Sequence, residues 1–166
     1  MKYLSQNQIK QAIKNAAGKN QFYYTLILTL SKSGCRVSEL INIRTQDILQ
    51  DEKQLVIRGK GNKIRNVDIP DDLLLQLQLF IKQYKIRKGN RLFPRTRQNI
   101  TQITKRFIGA NAHAFRHSYA INLLRTTNNI RYVQLQLGHN SLTTTQIYLR
   151  FMEYTEEKNK LGELYA

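Results

Sequence analysis

The sequence predicts a mostly helical α+β fold with one small antiparallel β-hairpin. Three observations predict it. Apolar residues recur at helical spacing through most of the 166 residues. One short region switches instead to β-branched, partly alternating runs. Only Pro70 and Pro94 interrupt the chain, so little in it breaks a helix. The length suits a single domain, and 41% apolar residues are enough to bury a core. No internal repeat or low-complexity linker divides the chain.

The elements follow in order. Ser5 can cap a helix over 5–17, where Ile9, Ala12, Ile13 and Ala16 share one face. Residues 21–32 are apolar nearly all round, as in a buried helix that ends at Gly34. VSELINI begins another helix directly after Arg36. QLVIR (54–58) and IRNVDI (64–69) flank the turn Gly59-Lys60-Gly61-Asn62-Lys63 and read as a β-hairpin. Asp71 caps a helix over about 72–84, and a basic loop with Gly89 and Pro94 leads to a helix around QNITQITKRFI. HAFRHSYAINLLR, IRYVQLQL and LTTTQIYLRFMEY complete the helices, the last after Gly138-His139-Asn140-Ser141. Residues 1–150 read as the domain, and the acidic stretch 151–166 as a tail that can dock on a neighbouring protomer.

Charge narrows the partner. The chain holds 27 Lys and Arg against 11 Asp and Glu, a formal charge of +16. No acid occurs between Asp72 and Glu153, a stretch with thirteen Lys and Arg. A merely solvated surface mixes signs, so this lopsidedness points to a polyanion. No apolar run is long enough for a bilayer span or a signal peptide, and the single Cys35 can form no internal disulfide. Both features predict a soluble protein of a reducing, cytoplasmic compartment.

Four segments carry chemistry. In His113-Ala114-Phe115-Arg116-His117, positions 113, 116 and 117 fall on one helical face and offer two imidazoles and a guanidinium; the plainer reading is a basic helix lying on DNA. HxxxH with His139 as a third ligand suggests zinc, but Arg116 sits within the set and the carboxylate of HExxH is missing. GKGNK lacks the order of a phosphate-binding P-loop and joins two strands, which argues against ATP. In GCRVSEL, Arg36 can clamp an anion with Glu39 fixing it from behind, or the two form a surface pair. In LGHNSLTTTQIY, His139 lies in a tight junction and Tyr148 about two turns into the next helix, where a tyrosine is ordinarily core.

Taken in order, GCRVSEL, GKGNKIR, HAFRH and LGHNSLTTTQIY resemble the catalytic domain of the tyrosine recombinases, the phage-integrase and Xer-like family, over about residues 4–148. The resemblance implies that fold and a site-specific DNA recombinase. It implies Arg36, Lys60, His113, Arg116, His139 and Tyr148 as catalytic residues, with Glu39 in support and Lys63 competing with Lys60 as the general acid. Phe115 stands where Leu is more usual, a change in the core.

In the chemistry so implied, Arg36 and Arg116 neutralise the non-bridging oxygens of one phosphate. Tyr148 attacks with help from His113, Lys60 protonates the leaving 5′ oxygen, and His139 donates to the phosphate. The product is a 3′-phosphotyrosyl link, formed without metal, ATP or other cofactor. Lys63, Arg65, Lys105, Arg106 and His117 are expected to contact the DNA backbone. The resemblance further implies double-stranded DNA as partner and a homotetramer on two duplexes, with a monomer or weak dimer in its absence; most relatives add an N-terminal clamping domain, so the sequence reads either as a fragment or as a single-domain member. The rival readings are a non-catalytic DNA-binding regulator derived from a recombinase and a type IB topoisomerase-like nicking-closing enzyme.

Overall fold

The computed structural model describes residues 3–59, 61 and 63–164. Eight α-helices run α1 (Gln6–Ala17), α2 (Gln21–Ser33), α3 (Val37–Leu40), α4 (Asp71–Gln83), α5 (Arg97–Ile108), α6 (His113–Thr127), α7 (Ile130–Leu137) and α8 (Leu142–Leu164) among the described residues. Strands β1 (Ile48–Leu49), β2 (Gln54–Arg58) and β3 (Ile64–Asp68) form an antiparallel sheet in that order, inserted between α3 and α4. Mostly helical with a small antiparallel sheet is the expected class. None of the described helices is long and apolar enough to cross a membrane.

Local chemistry explains most boundaries. Ser5 Oγ accepts from the Gln8 N–H while the Gln8 side chain accepts from the Ser5 N–H, closing a capping box at α1. Helix α2 stops at Gly34, which takes φ +59°. An added Cβ there would lie 2.4 Å from Cδ1 of Tyr119, so this turn needs glycine for space as well as conformation. At α8 the Thr143 N–H donates to Ser141 Oγ.

Two boundaries differ from expectation. Helix α3 is a single turn, because Ile43 leaves it to pair with Leu92 (N–H to Ile43 O, 2.8 Å). Pro70, not Asp71, takes the cap position of α4; Asp71 and Asp72 sit in the first turn, where a negative charge faces the positive helix end. Helix α8 runs on to Leu164. Strand β1 is too short to leave a pattern in the sequence.

The core forms two clusters. One gathers α1, α2, α4 and α5 over the inner sheet face, where Leu55, Ile57 and Val67 are fully buried. The second is built by α6, α7 and α8 from Ala120, Ile121, Leu124, Val133, Leu137 and Tyr148. Helix α6 belongs to both: Ala114 and Phe115 join the first and Ala120 to Leu124 the second. The seam between the clusters is where the candidate residues meet.

Candidate active site

Arg116 sits on that seam with its side chain buried. Its Nη1 donates to Gly34 O (2.8 Å) at the end of α2, and its Nη2 to Leu137 O (2.7 Å) at the end of α7. Both acceptors are helix C-termini, whose carbonyls carry partial negative charge and suit a cation with no carboxylate on it. Burial, then the charge of Arg36, pulls its pKa down to about 10, which leaves it charged at neutral pH. These bonds fix the two turns that carry Arg36, two residues after Gly34, and His139, two after Leu137.

Arg36 is held through Glu39. The Glu39 carboxylate is buried and accepts from the Arg36 N–H (2.8 Å), from Arg36 Nη1 (3.1 Å), and from both Nη atoms of Arg65 (2.9 Å each). Burial alone would raise the Glu39 pKa; the bonds and charge of Arg65 and the Arg36 N–H outweigh it and leave the carboxyl below its usual range. Arg36 keeps about 40% of its side chain exposed, open to an incoming anion.

Tyr148 lies on the inner face of α8, only 2% exposed. Its Oη is 3.1 Å from Nδ1 of His117, and its ring runs nearly parallel to that of His139, 9° between planes at 6.3 Å. Burial raises the phenol's pKa, against the charges of Arg116 and Arg36, which lower it. His139 Nδ1 lies 3.0 Å from Thr145 Oγ1, and burial with the charges of Arg116 and Arg36 presses its pKa down to about 4. His113, at the first turn of α6, is exposed; its pKa and that of His117 are also depressed, burial first in each case. At neutral pH these imidazoles are proton acceptors, not cations.

Arg36 and His139 open onto a groove of about 1330 Å³ whose other basic linings are Arg58, Lys63, Arg65, Arg97 and Arg131. Lys63 spans it, its Nζ donating to Asn140 Oδ1 (2.9 Å). Lys105 and Arg106 lie in the last turn of α5, outside the groove lining. Lys60 lies outside the described residues. Among the described residues no group of three or more His, Cys, Asp or Glu is placed to hold a metal ion.

Two sequence expectations meet a different geometry. The Arg65 guanidinium, expected on DNA, is turned inward: besides Glu39 it bonds Gln136 O through Nε (2.9 Å), and only 12% of its side chain is exposed. His117, also expected on DNA, points at the Tyr148 hydroxyl. Arg58, Arg131, Gln136 and Thr145 were not singled out by the sequence reading; Arg58 adjoins GKGNK, and the other three have no motif to mark them.

Residues 2–153 match the phage integrase family. The chain is 33% identical over 182 aligned positions to tyrosine recombinase XerA of Pyrococcus furiosus, covering 98% of this chain and 64% of that protein. A XerA recombinase crystal structure superposes with a TM-score of 0.78 at 28% identity, over 93% of this chain and 63% of that one. A XerH site-specific recombinase in a post-cleavage complex with palindromic difH substrate has the same fold, with a TM-score of 0.82 at 22% identity over 98% of this chain and 53% of that one. The chain thus spans between about half and two thirds of the length of these relatives.

Proposed function

The chain belongs to the phage integrase family of tyrosine recombinases, and from that footing we propose that it breaks and rejoins DNA strands as the catalytic domain of a site-specific recombinase. The observation that carries the reading is convergence. Arg36, Arg116, His139 and Tyr148 come from separate segments of the chain, yet they are drawn to one seam beside a basic groove.

A duplex lies in the groove with one phosphate against Arg36 and the edge of Arg116. Arg116 has five N–H donors and spends two on carbonyls, so three remain. Two guanidiniums around the non-bridging oxygens stabilise the charge that grows as phosphorus becomes five-coordinate. Tyr148 Oη forms the new bond to phosphorus, the bond to the 5′ oxygen breaks, and that oxygen takes a proton from Lys60, or from Lys63 once it leaves Asn140. The phenol proton passes to a neutral imidazole: His117 is already 3.1 Å from it, and His113, one turn earlier on the same helix, is the other candidate. Attack by a 5′-hydroxyl on the phosphotyrosyl link reverses the step, so no energy source is consumed and no cofactor enters.

Tyr148 is only 2% exposed in this arrangement, so attack on a bound duplex calls for a shift of α8. That makes the covered arrangement a resting state. The outcome is strand exchange, within a homotetramer on two duplexes, in a cytoplasmic setting where DNA is the partner.

A nicked duplex that loses its 5′ fragment on cleavage traps the covalent adduct. The wild-type chain is expected to form it on a cognate site, and Tyr148→Phe to form none. Binding without adduct identifies a non-catalytic regulator and contradicts the proposal. Relaxation of supercoils without exchange between duplexes identifies a nicking-closing enzyme instead.

A further inference from the structure

We propose that Arg65 is a positioning residue of the active site, which sets the two phosphate-binding arginines relative to each other and does not itself hold DNA. The proposal rests on the reading of Arg36 and Arg116 given above.

Strand geometry starts the argument. In β3, Arg65 pairs with Ile57 and lies two residues before Val67, both fully buried, so the pleat aims its side chain at the core face. Ile64, one residue earlier, is 58% exposed on the other face. A guanidinium sent inward must find its partners inside, since an unpaired buried charge is costly. Arg65 finds three: a two-pronged contact with the Glu39 carboxylate, and Gln136 O through Nε. A planar fork matched to a carboxylate fixes orientation as well as distance, which a lysine ammonium cannot do.

The partners close a circuit. Glu39 holds Arg36. Gln136 precedes Leu137, whose carbonyl holds Arg116, and Arg116 holds Gly34, two residues from Arg36. Arg65 ties the hairpin and α7 to the Arg36 turn through Glu39. The fit is tight on its far side too: a Cβ on Gly138, at φ +65°, would lie 2.7 Å from Arg65 Cδ. Three of the five Arg65 donors are spent inside and only 12% of the side chain is exposed, which leaves little of it for a backbone phosphate, whereas Lys63 is exposed and held by the single bond to Asn140.

Arg65→Lys in the full chain tests the assignment, because it keeps the positive charge and loses the fork. Two quantities are read on the nicked duplex: affinity with its salt dependence, and the rate of adduct formation at saturating DNA. The expected result is a cleavage rate lowered about tenfold or more, as misplacement of a reacting group costs, with affinity and the slope of log affinity against log salt unchanged. A phosphate contact would instead reduce that slope by about one and weaken binding; that result, or an unchanged cleavage rate, overturns the assignment. If Arg65→Lys does not fold, Glu39→Gln reads the same link from its other end, with the same expected split between rate and affinity. Where both fold, the double variant loses no more rate than the worse single variant; additive losses mean independent roles and overturn the assignment. Absence of an adduct with the wild-type chain defeats the recombinase reading itself, and the assignment with it.

Discussion

Replacing Gly34 by Ala strikes the turn on which Arg36 and Arg116 both depend. Its cost has two parts. A non-glycine residue in the left-handed region costs roughly 1–2 kcal/mol, and Gly34 stands at φ +59°. The new Cβ also falls 2.4 Å from Cδ1 and 2.9 Å from Cγ of Tyr119; forcing such a contact in a packed core costs about 1–3 kcal/mol more. The total is therefore about 2–5 kcal/mol, or a fall in Tm of roughly 4–20 °C for a chain of this size. Gly109 supplies the control, since it has φ +61° and an added Cβ there meets nothing within 4 Å. Gly109→Ala should lose only the conformational part, roughly 1–2 kcal/mol. Urea denaturation of the two variants measures the difference, and Tyr119→Leu, which removes the obstructing ring, should shrink the Gly34→Ala penalty toward that of Gly109→Ala. Equal destabilisation by the two glycine variants would refute the claim that space beside Tyr119 selects glycine at position 34.

Stability should fall as the pH drops below neutral. His113, His117 and His139 all have depressed pKa values in the fold, to about 4 for His139. The unfolded chain takes up protons first, from about pH 6.5 downward, so the loss runs from about 6.5 toward 4 and adds nothing above that window. A urea midpoint at pH 5 no lower than at pH 7.5 would contradict these shifts. Gln136→Leu should cost about 1–3 kcal/mol, because the Gln136 side chain accepts from the Asp68 N–H (2.9 Å) and donates to its carboxylate (2.8 Å); urea titration measures the loss. The same variant should slow adduct formation on the nicked duplex, since the helix it releases ends at the turn that carries His139.

The sequence made much of this legible because the helices are regular. Ser5 at a start, Gly34 and Gly138 at ends, and the break in periodicity at the hairpin each act locally, and the structure places them as local chemistry requires. Nothing local marks the interior polar network. Gln136 sits in a helix whose other glutamine, Gln134, is only half-buried, and helical spacing alone does not tell them apart. Arg65 is different, since its signal was present. In IRNVDI the alternation puts Arg65 on the side of Val67 and Ile69, and taken strictly that pattern sends it inward. The pull of a basic hairpin toward DNA hid it. His117 was masked in the same way: HxxRH shows that the residues share a face, but only the crossing of α6 by α8 decides which imidazole meets Tyr148.

The central claim is that Tyr148 becomes joined to DNA, and the site of attachment can be read directly. Trypsin releases residues 132–150 as one peptide, which contains both Tyr132 and Tyr148. After trapping on the nicked duplex and nuclease trimming, fragmentation mass spectrometry locates the nucleotide along that peptide. The account predicts the modification on Tyr148, carried as a 3′-phosphodiester. Attachment to Tyr132, to Tyr154 in the next peptide, or to no tyrosine would contradict it.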